Sequence, residues 1–263
     1  MVTVDKGLHP LDERYLDAYA APGAPAGGAE PGGSPPQCPL CFRALAPTGR
    51  SRGGFRYFRH ELAADDERCP LTTSNYQLDR MSVRRMRDPA IEQPFRRSFL
   101  RQWQRHYRLA SEVTPWFSLP LFTRVIEYAD VMNLWSYPAL RMHDVPSVLL
   151  VMAGFIGRRT ESGDVARERF WFDGSVVDVG DLWAPGRAER AKLYRVIYRA
   201  PQHTPLPTAA SIVYWEPVRQ PTRLAEISAP RLSRGHMRAF ARFLKHYDAQ
   251  RRARLSGVPE DAP

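Results

Sequence analysis

The three cysteines of this 263-residue chain lie in one short stretch, together with a histidine. Cys38 and Cys41 form a Cys-x-x-Cys pair, and His60 and Cys69 follow further along the chain. Zn²⁺ prefers four sulfur or nitrogen donors at the corners of a tetrahedron, and three thiolates with one imidazole are a standard closed set for it. A Cys-x-x-Cys turn presents two sulfurs to one ion, and a second local element then supplies the other ligands. The spacing therefore predicts a structural zinc site formed by Cys38, Cys41, His60 and Cys69.

Other roles for these residues stay open at this point. An odd number of cysteines argues against a disulfide framework, but one disulfide plus a free thiol, or three small buried apolar side chains, are alternatives. A redox Cys-x-x-Cys is expected in a βαβ context, whereas Gly, Pro and Ala precede Cys38. His60 has an alternative as an ordinary histidine beside Tyr57 and Phe58. Without His60, three thiolates would leave an open fourth position on the ion.

The basic residues of the chain are almost all arginines. The net charge is +10, and of the 38 basic residues only Lys6, Lys192 and Lys245 are lysines. Arginine binds phosphate in bidentate fashion, so this composition favours a nucleic-acid partner, although the base composition of a genome can produce the same usage. Nearby aromatic residues suit either base stacking or a helix core. The candidate nucleic-acid contacts are Arg84, Arg85, Arg96, Arg97, Arg101 and Arg105.

Hydrophobic periodicity predicts an α+β fold with helices first, then a small antiparallel sheet and a closing helix. A helix is expected to begin near Pro94, a second to cover 119–135, and the last to cover about 233–255. The dipeptide Asp173-Gly174 predicts a hairpin between strands at 168–172 and 175–179. Two further strands are predicted at 193–198 and 212–215.

Composition along the chain predicts a division into five segments. Residues 21–36 are rich in Pro, Gly and Ala and are typical of a flexible linker. The predicted segments are an N-terminal segment with this linker (1–36), a zinc ribbon or knuckle module (37–76), an Arg-rich connector (77–93), an α+β domain (94–256) and a disordered tail (257–263).

The pattern Cys38-x-x-Cys41, Tyr57-Phe58-x-His60 and Cys69-Pro70 resembles the N-terminal zinc-finger-like region of competence CoiA-like proteins. This resemblance covers about 40 residues and extends only to Cys38, Cys41, His60 and Cys69. It implies a bacterial, DNA-associated protein, often with a restriction-endonuclease-like domain after the zinc region. Such a nuclease needs an acid-x-Lys motif beside a second carboxylate, and none of the three lysines here has that context. The remaining acidic candidates are Asp173, Asp178 and Asp181.

Three functions follow as hypotheses. The first is a zinc-stabilised protein that binds nucleic acid, DNA in preference to RNA, without catalysis or as an accessory factor. The second is a protein-interaction or assembly module with a purely structural zinc, in which Trp171, Trp183 and Trp215 supply the contact surface. The third is a divergent divalent-metal nuclease. The sequence leaves enzymatic activity undecided, with the balance against it. It predicts a cytoplasmic protein that does not bind membranes, because it shows no signal peptide or spanning segment.

Overall fold

The chain folds into two compact units. The structure, a computed structural model, describes residues 6–8, 15–17, 35–47, 58–72, 81–83, 85–159, 165–184, 190–200, 207–220 and 232–255. Unit 1 comprises Met1–Arg84 and Gly154–Gln220, and unit 2 comprises Arg85–Ala153 and Pro221–Pro263. The described part is α+β, which confirms the predicted fold class. Among the helices of this part, none has both the length and the apolar character needed to cross a bilayer.

Unit 1 contains strands and short helices. Within its described residues, β1 with β2 and β3 with β4 form two small antiparallel sheets, and β5 to β8 form a four-stranded antiparallel sheet in chain order. The elements are β1 (Lys6–Leu8), β2 (Tyr15–Asp17), β3 (Leu45–Pro47), β4 (Phe58–His60), α1 (Ala63–Arg68), β5 (Ile156–Arg159), β6 (Val165–Phe172), β7 (Leu193–Arg199) and β8 (Ile212–Val218), with short 3₁₀ helices at Val179–Trp183 and Ala209–Ser211.

One face of the four-stranded sheet is lined by large apolar side chains. Successive residues of a strand point to opposite faces, so Tyr194, Val196 and Tyr198 of β7 share a side. Trp171 of β6 lies directly opposite Tyr194. These four side chains are almost completely buried. The strands predicted at 193–198 and 212–215 are confirmed as β7 and β8.

The predicted hairpin at Asp173-Gly174 is wrong. β6 ends at Phe172 and pairs with β7, and a 3₁₀ helix begins at Val179 where the return strand was expected. The Asp173 carboxylate accepts backbone hydrogen bonds from Ser175 at 3.0 Å and Lys192 at 2.6 Å. The Asp173 side chain therefore joins the end of β6 to the residues just before β7. In a two-residue hairpin turn, Asp173 would instead lie between β6 and the strand expected at 175–179.

Unit 2 is helical in its described residues. Its first helix begins at Pro89 rather than near Pro94, because the Asp88 side chain accepts a hydrogen bond from the N–H of Ala90 and proline suits the first helical position. The other predicted helices are found, the second ending at Val131 and followed by a 3₁₀ turn. The elements are α2 (Pro89–Arg101), α3 (Trp103–Val113), α4 (Leu119–Val131), a 3₁₀ helix (Leu134–Ser136), α5 (Val145–Met152) and α6 (Arg234–Leu255).

An aromatic cluster joins four of these helices. The ring centroid of Trp103 lies 3.9 Å from that of Phe240 in α6, and Tyr107 lies 5.4 Å from Phe122 in α4. Phe99 of α2 completes the cluster at 6.2 Å from Phe122. Trp103 and Tyr107 are buried, so their place in the arginine-rich segment reflects core packing and not an exposed platform for base stacking.

An ion network centred on the buried Arg96 links α2, α4 and α6. The Arg96 guanidinium donates to both carboxylate oxygens of Asp130 and to Asp248 of α6, at 2.8–3.1 Å. The indole N–H of Trp135 also donates to Asp130, at 2.6 Å. Burial raises the pKa of Asp130, and the hydrogen bonds from Arg96 oppose that shift. Removal of Arg96 or of Asp130 would leave the other as an uncompensated buried charge. Such a change typically lowers the free energy of unfolding by about 3–5 kcal/mol.

The observed units differ from the predicted domain boundaries. The segment around Cys38 shares unit 1 with the sheet, whereas the sequence predicted a separate module and one domain over 94–256. In the predicted Arg-rich connector (77–93), residues 85–88 lead into α2 and residues 89–93 belong to it. The linker over most of 21–36 and the tail at 257–263 lie outside the described residues.

His106 is a polar residue in the apolar core of unit 2. Its side chain is fully buried, neither ring nitrogen has a hydrogen-bond partner, and the ring lies 4.8 Å from that of Phe99. Burial lowers the pKa of His106 to about 3, and Arg105 adds to the shift. The folded protein thus holds a neutral imidazole at pH values where the unfolded chain binds a proton.

We predict that His106→Phe stabilises the protein, and more so in acid. Between pH 6.5 and 3 the unfolded state binds one more proton at this site, so the wild type loses stability as pH falls. The variant should exceed the wild type in unfolding free energy by about 2 kcal/mol more at pH 5 than at pH 7. Urea unfolding of both proteins at the two pH values measures it, with exposed His246→Phe as control. A difference that does not change with pH would contradict the buried neutral imidazole.

Candidate metal centre

Cys38 and Cys41 lie on a tight backbone loop. Gln37 and Ala44 form an antiparallel bridge across it, and the N–H of Cys38 donates to the carbonyl of Arg43 at 2.9 Å. The N–H of Phe42 donates to the carbonyl of Cys38 at 2.8 Å, and Phe42 adopts a left-handed conformation with φ of 57°. This fold of the loop turns both sulfurs to the same side.

His60 reaches the same side through β3 and β4. β3 begins immediately after the loop, and its first residue, Leu45, pairs with His60 at the end of β4. The N–H of Glu61 extends this pairing by donating to the carbonyl of Ala44 at 3.1 Å. Strand pairing therefore brings a residue 19 positions away in sequence from Cys41 into contact with it.

Cys69 follows α1, whose turn returns the chain to the loop. The N–H of Cys69 donates to the carbonyl of Asp65 at 3.0 Å and ends the helix. The Cys69 sulfur accepts a hydrogen bond from the N–H of Leu71 at 3.4 Å. Such N–H donors stabilise negative charge on a thiolate.

The four side chains converge on one point. Their ligand atoms all lie within 4.8 Å of one another, and all four residues are buried. The sulfurs of Cys38 and Cys69 are 3.7 Å apart, and the Cys41 sulfur is 3.1 Å from Nε2 of His60. Two sulfurs bound to one Zn²⁺ at about 2.3 Å are about 3.8 Å apart at the tetrahedral angle. The cluster could therefore hold a metal ion. Among the described residues, it is the one group of cysteine, histidine or acidic side chains close enough together to do so.

The second nitrogen of His60 also has a neighbour. Nδ1 lies 3.5 Å from Oγ1 of Thr72. An imidazole that binds a metal through Nε2 carries its proton on Nδ1 and donates it to an oxygen, which fixes the ring orientation. The Thr72 hydroxyl oxygen is in the right place to accept that hydrogen bond.

Burial makes the charge of this cluster depend on a counter-ion. Burial raises the pKa of the Cys38 thiol, with further contributions from Cys41 and Cys69. Hydrogen bonds from Cys38 and Cys69 lower the pKa of Cys41. Three adjacent buried thiolates repel one another, and a divalent cation is what allows all three to be ionised.

The centre packs on the aromatic face of the sheet. Its buried core includes residues of the three segments that carry the ligands and the sheet residues Trp171, Tyr194, Val196 and Tyr198. The turn after β6 makes the closest approach, because a Cβ atom on Gly174 would lie 2.6 Å from the carbonyl carbon of Cys41. Glycine is required there for space, a role that the turn pattern in the sequence did not reveal.

The predicted nucleic-acid contacts separate into two groups. Arg96 is buried in the ion network and is therefore removed from the predicted surface. Arg85, Arg97 and Arg101 are exposed, and Arg105 is half-buried. Arg84 lies outside the described residues. All the described members belong to unit 2, whereas the metal centre belongs to unit 1.

The acidic residues once considered for a nuclease are engaged in local backbone structure. Asp178 accepts from the N–H of Gly180 at 2.8 Å and from the Ser82 hydroxyl at 2.9 Å. Asp181 accepts from the N–H groups of Val177 and Asp178, while Asp173 makes the contacts described above. These carboxylates stabilise a cap and a turn, and they do not form a metal-binding group in the described part of the chain.

Comparison with known proteins gives no further assignment. No protein-family model matches this chain, and searches of the curated proteins and of the solved structures return no match. Function has to be argued from the residues themselves.

We predict that Gly174→Ala weakens metal binding at this cluster, because the added methyl group collides with the backbone of Cys41. Overpacking of this kind costs about 1–3 kcal/mol, and the loop that holds two ligands must move. Gly157→Ala is the matched control, since a Cβ there meets no atom within 4 Å. Zn²⁺ affinity from competition with a chromophoric chelator measures the effect. Equal affinities for the two variants would contradict the close contact.

Proposed function

We propose that Cys38, Cys41, His60 and Cys69 bind one Zn²⁺ as a closed structural site. The observation that carries this proposal is the donor set, three sulfurs and one imidazole nitrogen gathered within 4.8 Å. Soft thiolates with imidazole favour Zn²⁺ over the oxygen-seeking Mg²⁺ and Ca²⁺. Four protein ligands complete the tetrahedron and leave no position for a reacting water, so the proposed role is structural.

The proposed ion would stabilise three segments that have little regular structure of their own. β3 and β4 have three residues each, and α1 has six. Elements this short do not form a stable core unaided, and a structural metal commonly compensates. Metal binding then contributes directly to the free energy of folding in unit 1.

We further propose that the chain binds nucleic acid, DNA in preference to RNA, as a non-catalytic or accessory factor. The net charge of +10 and the exposed arginines of unit 2 support this proposal. Arg97 and Arg101 are four residues apart on α2, so they lie on one side of the helix. The resemblance of residues 38–70 to competence CoiA-like proteins is consistent with a DNA-associated role.

A protein-interaction module is the alternative, and exposed apolar side chains favour it. Met86 is 88 % exposed and Val131 63 % exposed, both in unit 2. The tryptophans named from the sequence are less suited to it, because Trp171 is buried in the core of the metal centre. A nuclease role receives no support from Asp173, Asp178 and Asp181, because their carboxylate oxygens accept hydrogen bonds from backbone N–H groups.

The zinc proposal predicts one Zn²⁺ per purified chain and its loss in Cys38→Ser, Cys69→Ser and His60→Ala. Each change removes a ligand and leaves buried groups without their counter-ion. Elemental analysis by mass spectrometry after extensive dialysis measures the metal, with exposed His246→Ala as the control for His60→Ala. Unchanged zinc content in both cysteine variants would refute the site.

The nucleic-acid proposal predicts that Arg97→Gln/Arg101→Gln/Arg105→Gln weakens binding to all DNA sequences alike. Phosphate contacts release counterions, so each lost contact lowers the dependence of log K on log salt by about one unit. Fluorescence anisotropy with labelled duplexes across a salt series measures this slope. Affinity and slope equal to those of the wild type would exclude these arginines from the site.

A further inference from the structure

α6 has an inner face that packs against the rest of unit 2. Phe240 stacks on Trp103, and Asp248 binds Arg96 at 3.1 Å. Tyr247 is also buried, and Arg251 forms an ion pair with Glu92 of α2. The apolar side of this helix and its one acidic residue are therefore both engaged within the unit.

The outer face of α6 is basic over most of its length. An α-helix has 3.6 residues per turn, so residues at i, i+4, i+8 and i+11 lie on one side. Arg234, Arg238, Arg242 and Lys245 occupy these positions, all exposed, opposite Phe240. At about 1.5 Å per residue they extend along about 17 Å of the helix. We call these four residues the α6 basic stripe.

The stripe is basic, and the described residues do not neutralise it. None of its four cations forms an ion pair within the part of the chain that the structure describes. Small exposed residues, Gly235, Ala241 and Ala249, lie around it. Four unpaired cations on one line repel one another, and this arrangement gains stability when an anionic polymer neutralises them.

The shape and chemistry of the stripe identify its partner. A membrane-binding amphipathic helix inserts an apolar face, whereas the aromatic residues Phe240 and Tyr247 at the centre of that face of α6 are already buried in the unit. An α-helix with small side chains among its cations fits the B-DNA major groove, which is about 12 Å wide. The major groove of A-form RNA is too narrow to admit it.

We propose that the α6 basic stripe binds the phosphates of double-stranded DNA, with the helix lying in or along the major groove. The proposal rests on the nucleic-acid function proposed above and assigns a contact surface to it. Duplex DNA carries one phosphate per about 1.7 Å of its axis, so all four cations of the stripe have phosphates within reach. The contacts are sequence-independent, because they involve the backbone and not the base edges.

The test compares two triple variants of the full-length zinc-loaded protein. Arg238→Gln/Arg242→Gln/Lys245→Gln removes three charges of the stripe, and glutamine preserves helix propensity. Arg124→Gln/Arg141→Gln/Arg199→Gln removes the same charge at exposed positions elsewhere. Binding to a fluorescent DNA duplex, to an RNA duplex of the same sequence and to phosphatidylserine vesicles is measured across a salt series. Circular dichroism verifies that both variants fold.

The proposal predicts DNA binding by the wild type, weakened roughly a hundredfold at 0.1 M salt in the stripe variant, with the salt slope reduced by about 2.7. The control variant should lose much less. Equal losses in both variants, or none in the stripe variant, would overturn the assignment to α6 while the nucleic-acid function stands. A preference for RNA or for vesicles would overturn duplex DNA as the partner. No binding by the wild type to either duplex would overturn both proposals.

Discussion

The burial of three thiols and an imidazole at one point is the constraint on which unit 1 depends. Cys38 and Cys69 have no exposed surface, and the segments that carry the ligands are too short to form a core alone. The proposed Zn²⁺ would neutralise the thiolates and join these segments in one step. The aromatic face of the sheet supplies the apolar contact that such a small element lacks, and Gly174 allows the sheet to come within contact distance of Cys41.

Unit 2 is stabilised by different interactions. Its helices share an aromatic cluster around Phe122 and a buried network in which Arg96 connects Asp130 and Asp248. Arginine therefore has two roles within one unit. Arg96 balances the buried carboxylate of Asp130, while Arg97, the next residue, is exposed. The same residue type supports the fold at one position and is exposed to solvent at the next.

Sequence reasoning succeeded where the determining interactions are local. The convergence of Cys38, Cys41, His60 and Cys69 could be predicted because Cys-x-x-Cys spacing and a short following strand suffice to gather them. β7 could be predicted from its run of β-branched and aromatic residues. It failed where the role of a residue depends on partners that are far away in the sequence. Asp173-Gly174 has a strong hairpin signal, but Asp173 binds Lys192 and Gly174 packs on Cys41. Arg96 could not be told from Arg97, because its partners are 34 and 152 residues away. The start of α2 was missed although Asp88-Pro89 is a recognisable local cap signal.

X-ray absorption at the zinc edge of the purified protein tests the central claim most directly, because it reports the atoms bound to the ion. The account predicts a four-coordinate Zn²⁺ with three sulfurs at about 2.3 Å and one nitrogen at about 2.0–2.1 Å. A spectrum with fewer than three sulfurs, with an added oxygen ligand, or with no bound zinc would contradict a closed site formed by Cys38, Cys41, His60 and Cys69.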